Sequence, residues 1–141
     1  RRAFDELGLP FDPRRCEPCR YSFPDAYDTT KRLLERCPEL TALFCISDVM
    51  AIGAIRAIRD LGRRVPEDIS VVGYDGIPLS QFSLPRLTTV RQDTQQLARQ
   101  GVDLLLRSLQ RPRPPVHGVV PFQLLPGESV APPRGATHRP K

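Results

Sequence analysis

Asp75 is the residue whose type and setting most clearly invite chemistry. It closes the stretch Val65-Pro66-Glu67-Asp68-Ile69-Ser70-Val71-Val72-Gly73-Tyr74-Asp75-Gly76. Turn residues lead into the short apolar run 69–72, which ends on a glycine, an aromatic residue and the carboxylate. Apolar runs of that length between breakers read as strands buried on both faces, as in parallel α/β sheets. Open α/β sheets bind ligands at the carboxyl ends of their strands. Asp75 is therefore a candidate ligand contact.

Other residues that could do chemistry form weaker patterns. Cys16 and Cys19 make a C-x-x-C around Glu17-Pro18, half of a zinc site or a redox pair. A structural zinc site needs a second pair of ligands, and none follows at a suitable spacing, so no metal and no cofactor is expected. Cys37 and Cys45 read as small buried hydrophobes. His117 and His138 stand apart in a proline-rich region. There is no P-loop and no G-x-G-x-x-G, and no convincing nucleophile–base pair or paired carboxylates. The chain reads as a binding protein and not an enzyme.

Elements to position these groups follow from the local signals. Residues 1–9 read as the end of a helix stopped by Gly8. A proline- and charge-rich connector covers 10–20. Ser22 caps a helix running to about Arg36, with proline and acid in its first turn and Pro38 beyond its end. Residues 41–46 form an apolar strand. Ser47 or Asp48 can cap the next helix, 49–61, which is apolar at Ile52, Ile55, Ile58 and Leu61. Its small residues, Ala51, Gly53, Ala54 and Ala57, allow close packing against a sheet or a second copy. Residues 41–75 thus make a βαβ unit. A short strand at 87–90, a helix at 94–109 capped by Asp93, a Pro/Arg linker at 111–115 and a last strand at 119–125 complete the order. Residues 126–141 read as a disordered end.

Length and composition fit one domain: 141 residues, 40% hydrophobic and 26% charged. The net charge of +5 is concentrated after residue 110, where five basic residues face Glu128 alone. That segment reads as a solvated basic tail more readily than as a nucleic-acid arm. No apolar run is long enough to span a membrane, and the first residues lack the apolar core of a signal peptide, so a cytoplasmic location is expected.

Three segments resemble one family in their order and spacing. Cys45-Ile46-Ser47-Asp48-Val49-Met50-Ala51-Ile52-Gly53-Ala54 is similar to the strand-to-helix motif of LacI/GalR-type bacterial repressors. The stretch from Val65 to Asp75 resembles that family's most recognisable segment. Pro85-Arg86-Leu87-Thr88-Thr89-Val90-Arg91-Gln92-Asp93 resembles the crossing segment that follows it. Leu125-Pro126-Gly127-Glu128-Ser129 is similar to the last strand, with Gly127 where a basic residue is more usual. The resemblance implies a three-layer α/β sandwich of the periplasmic binding protein type I kind: mostly the second lobe, with an incomplete first lobe. Residues 1–130 would be a partial effector-binding and dimerisation domain, and 131–141 a disordered basic tail.

By the same resemblance, Asp75 accepts effector hydroxyls or amines, through charge-assisted bonds. Tyr21 stacks on an effector ring, since a flat ring suits a sugar or purine face. Ser47 falls where the family often has asparagine, which leaves a ligand contact and a plain helix cap as alternatives. Gln92 and Thr94 flank the crossing segment and could line the cleft. A homodimer would use Ile52, Ile55, Arg56 and Arg59 on the helix, with Leu79, Ser80 and Phe82 on the loop after Asp75. The implied partners are a small effector, sugar or nucleoside-like, and operator DNA reached only through an N-terminal domain that this chain lacks. The implied function is the effector-sensing, dimerising part of a DNA-binding transcriptional regulator, a repressor by preference. The alternatives are a solute-binding protein of the same fold and a truncated, non-functional fragment.

Overall fold

The computed structural model describes residues 2–110 and 117–133. Helix α1, Arg2–Glu6, leads to a connector that carries a single 3-10 turn at Pro13–Arg15. Asp12 starts that turn by accepting the Arg14 N–H at 3.0 Å, and Phe11 packs edge-on to Phe4. Helix α2, Phe23–Arg36, begins where Ser22 Oγ accepts the Asp25 N–H. Strand β1, Ala42–Phe44, is followed by helix α3, Asp48–Asp60, and strand β2, Ser70–Asp75. A 3-10 turn at Pro78–Gln81 precedes strand β3, Thr88–Gln92, helix α4, Thr94–Gln110, and strand β4, Phe122–Leu125. Both capped helices start where the sequence places them, because caps are local. The expected strands differ by one to three residues at their ends, since pairing partners far along the chain decide where a strand begins and stops.

The four strands form one sheet in the order β1-β2-β3-β4. The first three are parallel, and β4 runs antiparallel to β3, pairing Thr89 with Leu125 and Gln92 with Phe122. The sheet is thus mixed. Helix α3 lies on β2 and packs along α2, whose Leu34 joins the same core. The small residues of α3 serve this contact: a side chain at Gly53 would meet the Phe23 carbonyl oxygen at 2.7 Å and Ala26 Cβ at 2.9 Å. The core gathers Leu34, Ala51, Ile55, Ile58, Val65, Ile69, Val71 and Leu87.

Two expectations need correction here. Burial on both faces holds for Ile69, Ser70 and Val71 but gives way at half-buried Val72, and the neighbouring strand β1 leaves Phe44 66% exposed. The described helices α2 and α3 cover one face of the sheet and leave that side chain open. Nor is everything after residue 125 loose, and the tail boundary at 131 falls inside ordered chain. Residues 127–131 enter between the first residues of β2 and β3: Glu128 N–H donates to the Arg86 carbonyl, Val71 N–H to that of Ser129, and Ala131 N–H to Ser70 Oγ. The expected linker at 111–115 and the tail from 134 lie outside the described residues.

Candidate effector site

The carboxyl ends of β1, β2 and β3 bring together residues that the sequence keeps far apart. Asp75 is the last residue of β2 and Gln92 the last of β3. Tyr21 precedes α2 and reaches across 54 positions of sequence: its hydroxyl donates to Asp75 Oδ2 at 2.7 Å. Gln92 Nε2 donates to the other oxygen, Oδ1, at 3.4 Å. The carboxylate is thus held at both oxygens and remains only half-buried. With Asp75 accepting its proton, the Tyr21 phenol titrates above its usual range, while the nearby Ser47 hydroxyl pulls the other way. The Tyr21 ring is 62% exposed. A polar acceptor lies beside an open aromatic face, the pairing that a ring carrying hydroxyl groups requires.

Ser47 stands behind this group. It is fully buried, and its Oγ accepts the Met50 N–H at 3.2 Å, so the helix-cap role is visible. Thr94 opens α4 and is exposed, with no described hydrogen bond to Asp75, Gln92 or Tyr21.

The sequence reading missed Asp48, which lies directly beneath. It is fully buried. Its Oδ1 accepts the Thr89 hydroxyl and its Oδ2 the Ile77 N–H at 2.8 Å. Burial raises its pKa, and the donors from Thr89, Ile77 and Gly76 oppose that rise. An acid after serine at a helix start signals a cap, and nothing local signals that it turns inward.

The surfaces proposed for a dimer divide. Phe82 is 81% and Leu79 47% exposed, and Arg56 and Arg59 are exposed. Ile52 is half-buried against the core. Ile55 and Ser80 are corrections. Ile55 is packed into the core at 4% exposure, and fully buried Ser80 spends its groups internally, donating Oγ–H to the Ile77 carbonyl and accepting the Leu87 N–H. Neither is available to a partner in this structure.

Elsewhere, all four cysteines are free thiols. Among the described residues no group of three His, Cys, Asp or Glu could hold a metal ion. Cys37 is buried as expected, whereas Cys45 is only half-buried against the core, and burial pushes its thiol up to about 12. A hollow of about 390 Å³ lies at the opposite ends of the strands, lined by Pro38, Glu39, Leu40, Thr41, Arg63 and Asp68. It is remote from Asp75.

Residues 1–130 match the family model described as periplasmic binding protein-like domain. The chain belongs to that family. Among its relatives is the HTH-type transcriptional repressor PurR of Haemophilus influenzae (strain PittEE), 43% identical over 108 residues, which cover 77% of this chain and 32% of PurR. The solved complex of the transcriptional regulator CelR with cellobiose superposes with a TM-score of 0.82 at 32% identity, covering 91% of this chain and 39% of CelR. A dimeric Lac repressor with an 11-residue C-terminal deletion is 35% identical, with a TM-score of 0.70, over 80% of this chain and 42% of the repressor. The periplasmic binding protein-like fold and the kinship with LacI-type regulators therefore stand. The chain spans about a third of the length of the curated PurR relatives that it matches. No helix among the described residues is long and apolar enough to cross a membrane.

Proposed function

We propose that this chain forms one wall of an effector site in a LacI/GalR-type transcriptional regulator and senses a sugar or similar polar ring compound. The observation that carries the reading is the Asp75 carboxylate at the carboxyl end of β2, held by Tyr21 and Gln92 and still open to solvent. Asp75 would accept ligand hydroxyls, Gln92 would offer an amide, and the Tyr21 ring would lie against the apolar face of the ring. Thr94, exposed at the start of α4, would border the same cleft. The solved relative bound to cellobiose supports this class of ligand.

The role is binding and not catalysis, and the setting is the cytoplasm. The regulator acts as a homodimer, with Phe82, Leu79, Arg56 and Arg59 at the contact. Effector bound between two lobes favours the closed arrangement, and the dimer passes that preference to the DNA-reading parts as a shift in population. Operator recognition belongs to a part of the regulator outside this chain.

Calorimetric titration of the complete regulator with cellobiose, lactose, ribose and adenosine tests the site. Asp75→Asn keeps the shape and removes the charge from the acceptor. A charged hydrogen bond contributes about 1.5–3 kcal/mol, so affinity for the ligand that binds falls by roughly 10- to 100-fold. Unchanged affinity sinks the role given to Asp75.

A further inference from the structure

Asp75 adopts φ 109°, a conformation that a residue with a side chain rarely takes. Such backbone costs about 1–3 kcal/mol and persists only where the surroundings hold it. The second residue after Asp75 supplies the handle. The Ile77 N–H donates to Asp48 Oδ2 at 2.8 Å. The other oxygen takes the Thr89 hydroxyl from the middle of β3, three residues before Gln92. An ionised group without exposure is costly unless donors meet it, and here every donor comes from a segment that shapes the effector site. Gly73 leaves the space: a side chain there would overlap Asp48 Oδ1.

We propose that Asp48 is a positioning residue. Through the Ile77 N–H group and the Thr89 hydroxyl it holds the Asp75 backbone so that the Asp75 carboxylate meets Tyr21, Gln92 and the effector. Both oxygens must accept for this to work. Asp48→Ala removes both acceptors, whereas an amide could still accept the Ile77 N–H and donate to the Thr89 hydroxyl. The inference rests on the proposed effector site for its purpose, but its geometry is testable without an effector.

The readout is the Tyr21 phenol, followed by carbon NMR of ring-labelled tyrosine and assigned with Tyr21→Phe. In the complete regulator Tyr21 titrates above its usual range because Asp75 accepts its proton. Asp75→Asn moves that midpoint down. Asp48→Ala is expected to move it in the same direction, with no further displacement when the two are combined; Thr89→Val keeps the Asp48 charge, which itself raises the Tyr21 phenol, and so separates displacement of Asp75 from loss of that charge. Thr89→Val repeats the effect more weakly, and Thr89→Ser, which keeps the hydroxyl, restores the parent value.

A folded Asp48→Ala protein with an unmoved Tyr21 midpoint overturns the proposal. If that variant does not fold, Thr89→Val decides by the same criterion. A midpoint insensitive to Asp75→Asn also overturns it. In effector titrations, Asp48→Ala is expected to lower affinity about tenfold, and the loss disappears in the Asp75→Asn background, as coupling through one residue requires. Failure of the effector reading looks different: affinity is indifferent to Asp75→Asn while the Tyr21 result stands.

Discussion

At Gly73 a methyl group would overlap the Asp48 carboxylate and stand 2.8 Å from Leu87 Cδ2. Neither neighbour has room to retreat, since both are fully buried. Gly73→Ala is expected to destabilise the fold by about 2–3 kcal/mol, the upper part of the range for overpacked interiors, read as a lower guanidinium midpoint at unchanged slope. A midpoint within error of the parent would show that the space beside Asp48 is larger than drawn. At this scale the sequence was informative about Asp75, because a carboxylate after a short apolar run has one natural place, the strand end. It was silent about Asp48. A Ser-Asp pair before a helix reads as a cap twice over, and only packing tells that the serine caps while the acid reaches Ile77 and Thr89.

Ser129 shows the same division between neighbouring elements. Its Oγ donates to the Val71 carbonyl at 2.6 Å and accepts the Thr88 N–H at 2.8 Å. The side chain therefore joins β2 to β3 where the strands are held apart by residues 127–131. Ser129→Ala leaves a buried carbonyl and a buried N–H without partners, which costs about 1–3 kcal/mol. The expected outcome is a melting temperature several degrees lower by calorimetry, with Ser129→Thr, which keeps the hydroxyl, tested alongside. Helix starts were legible because Ser22 and Ser47 bond within their own first turns. The ordered path of 127–131 was not, because its partners lie about 40 to 60 residues earlier in the chain and no local pattern names them.

For the molecule as a whole, the loop after Asp75 exposes Phe82 at 81% and Leu84 at 77%. Two large apolar side chains in one short loop mark a contact surface more readily than a solvated one. Phe82→Asp is expected to weaken self-association of the complete regulator by about 30-fold, a loss of roughly 2 kcal/mol for one anchor residue, measured by sedimentation. A dimer of parental strength would remove this loop from the interface. The sequence by itself determined the βαβ unit, the helix caps and the strand end where Asp75 stands, because these depend on periodicity and on bonds within one turn. The tertiary structure alone decided that Tyr21 reaches Asp75, that Asp48 and Ser129 turn inward, and that Ile55 and Ser80 are closed to partners. Those outcomes depend on which distant segments share one buried volume, and spacing along a chain does not carry that information.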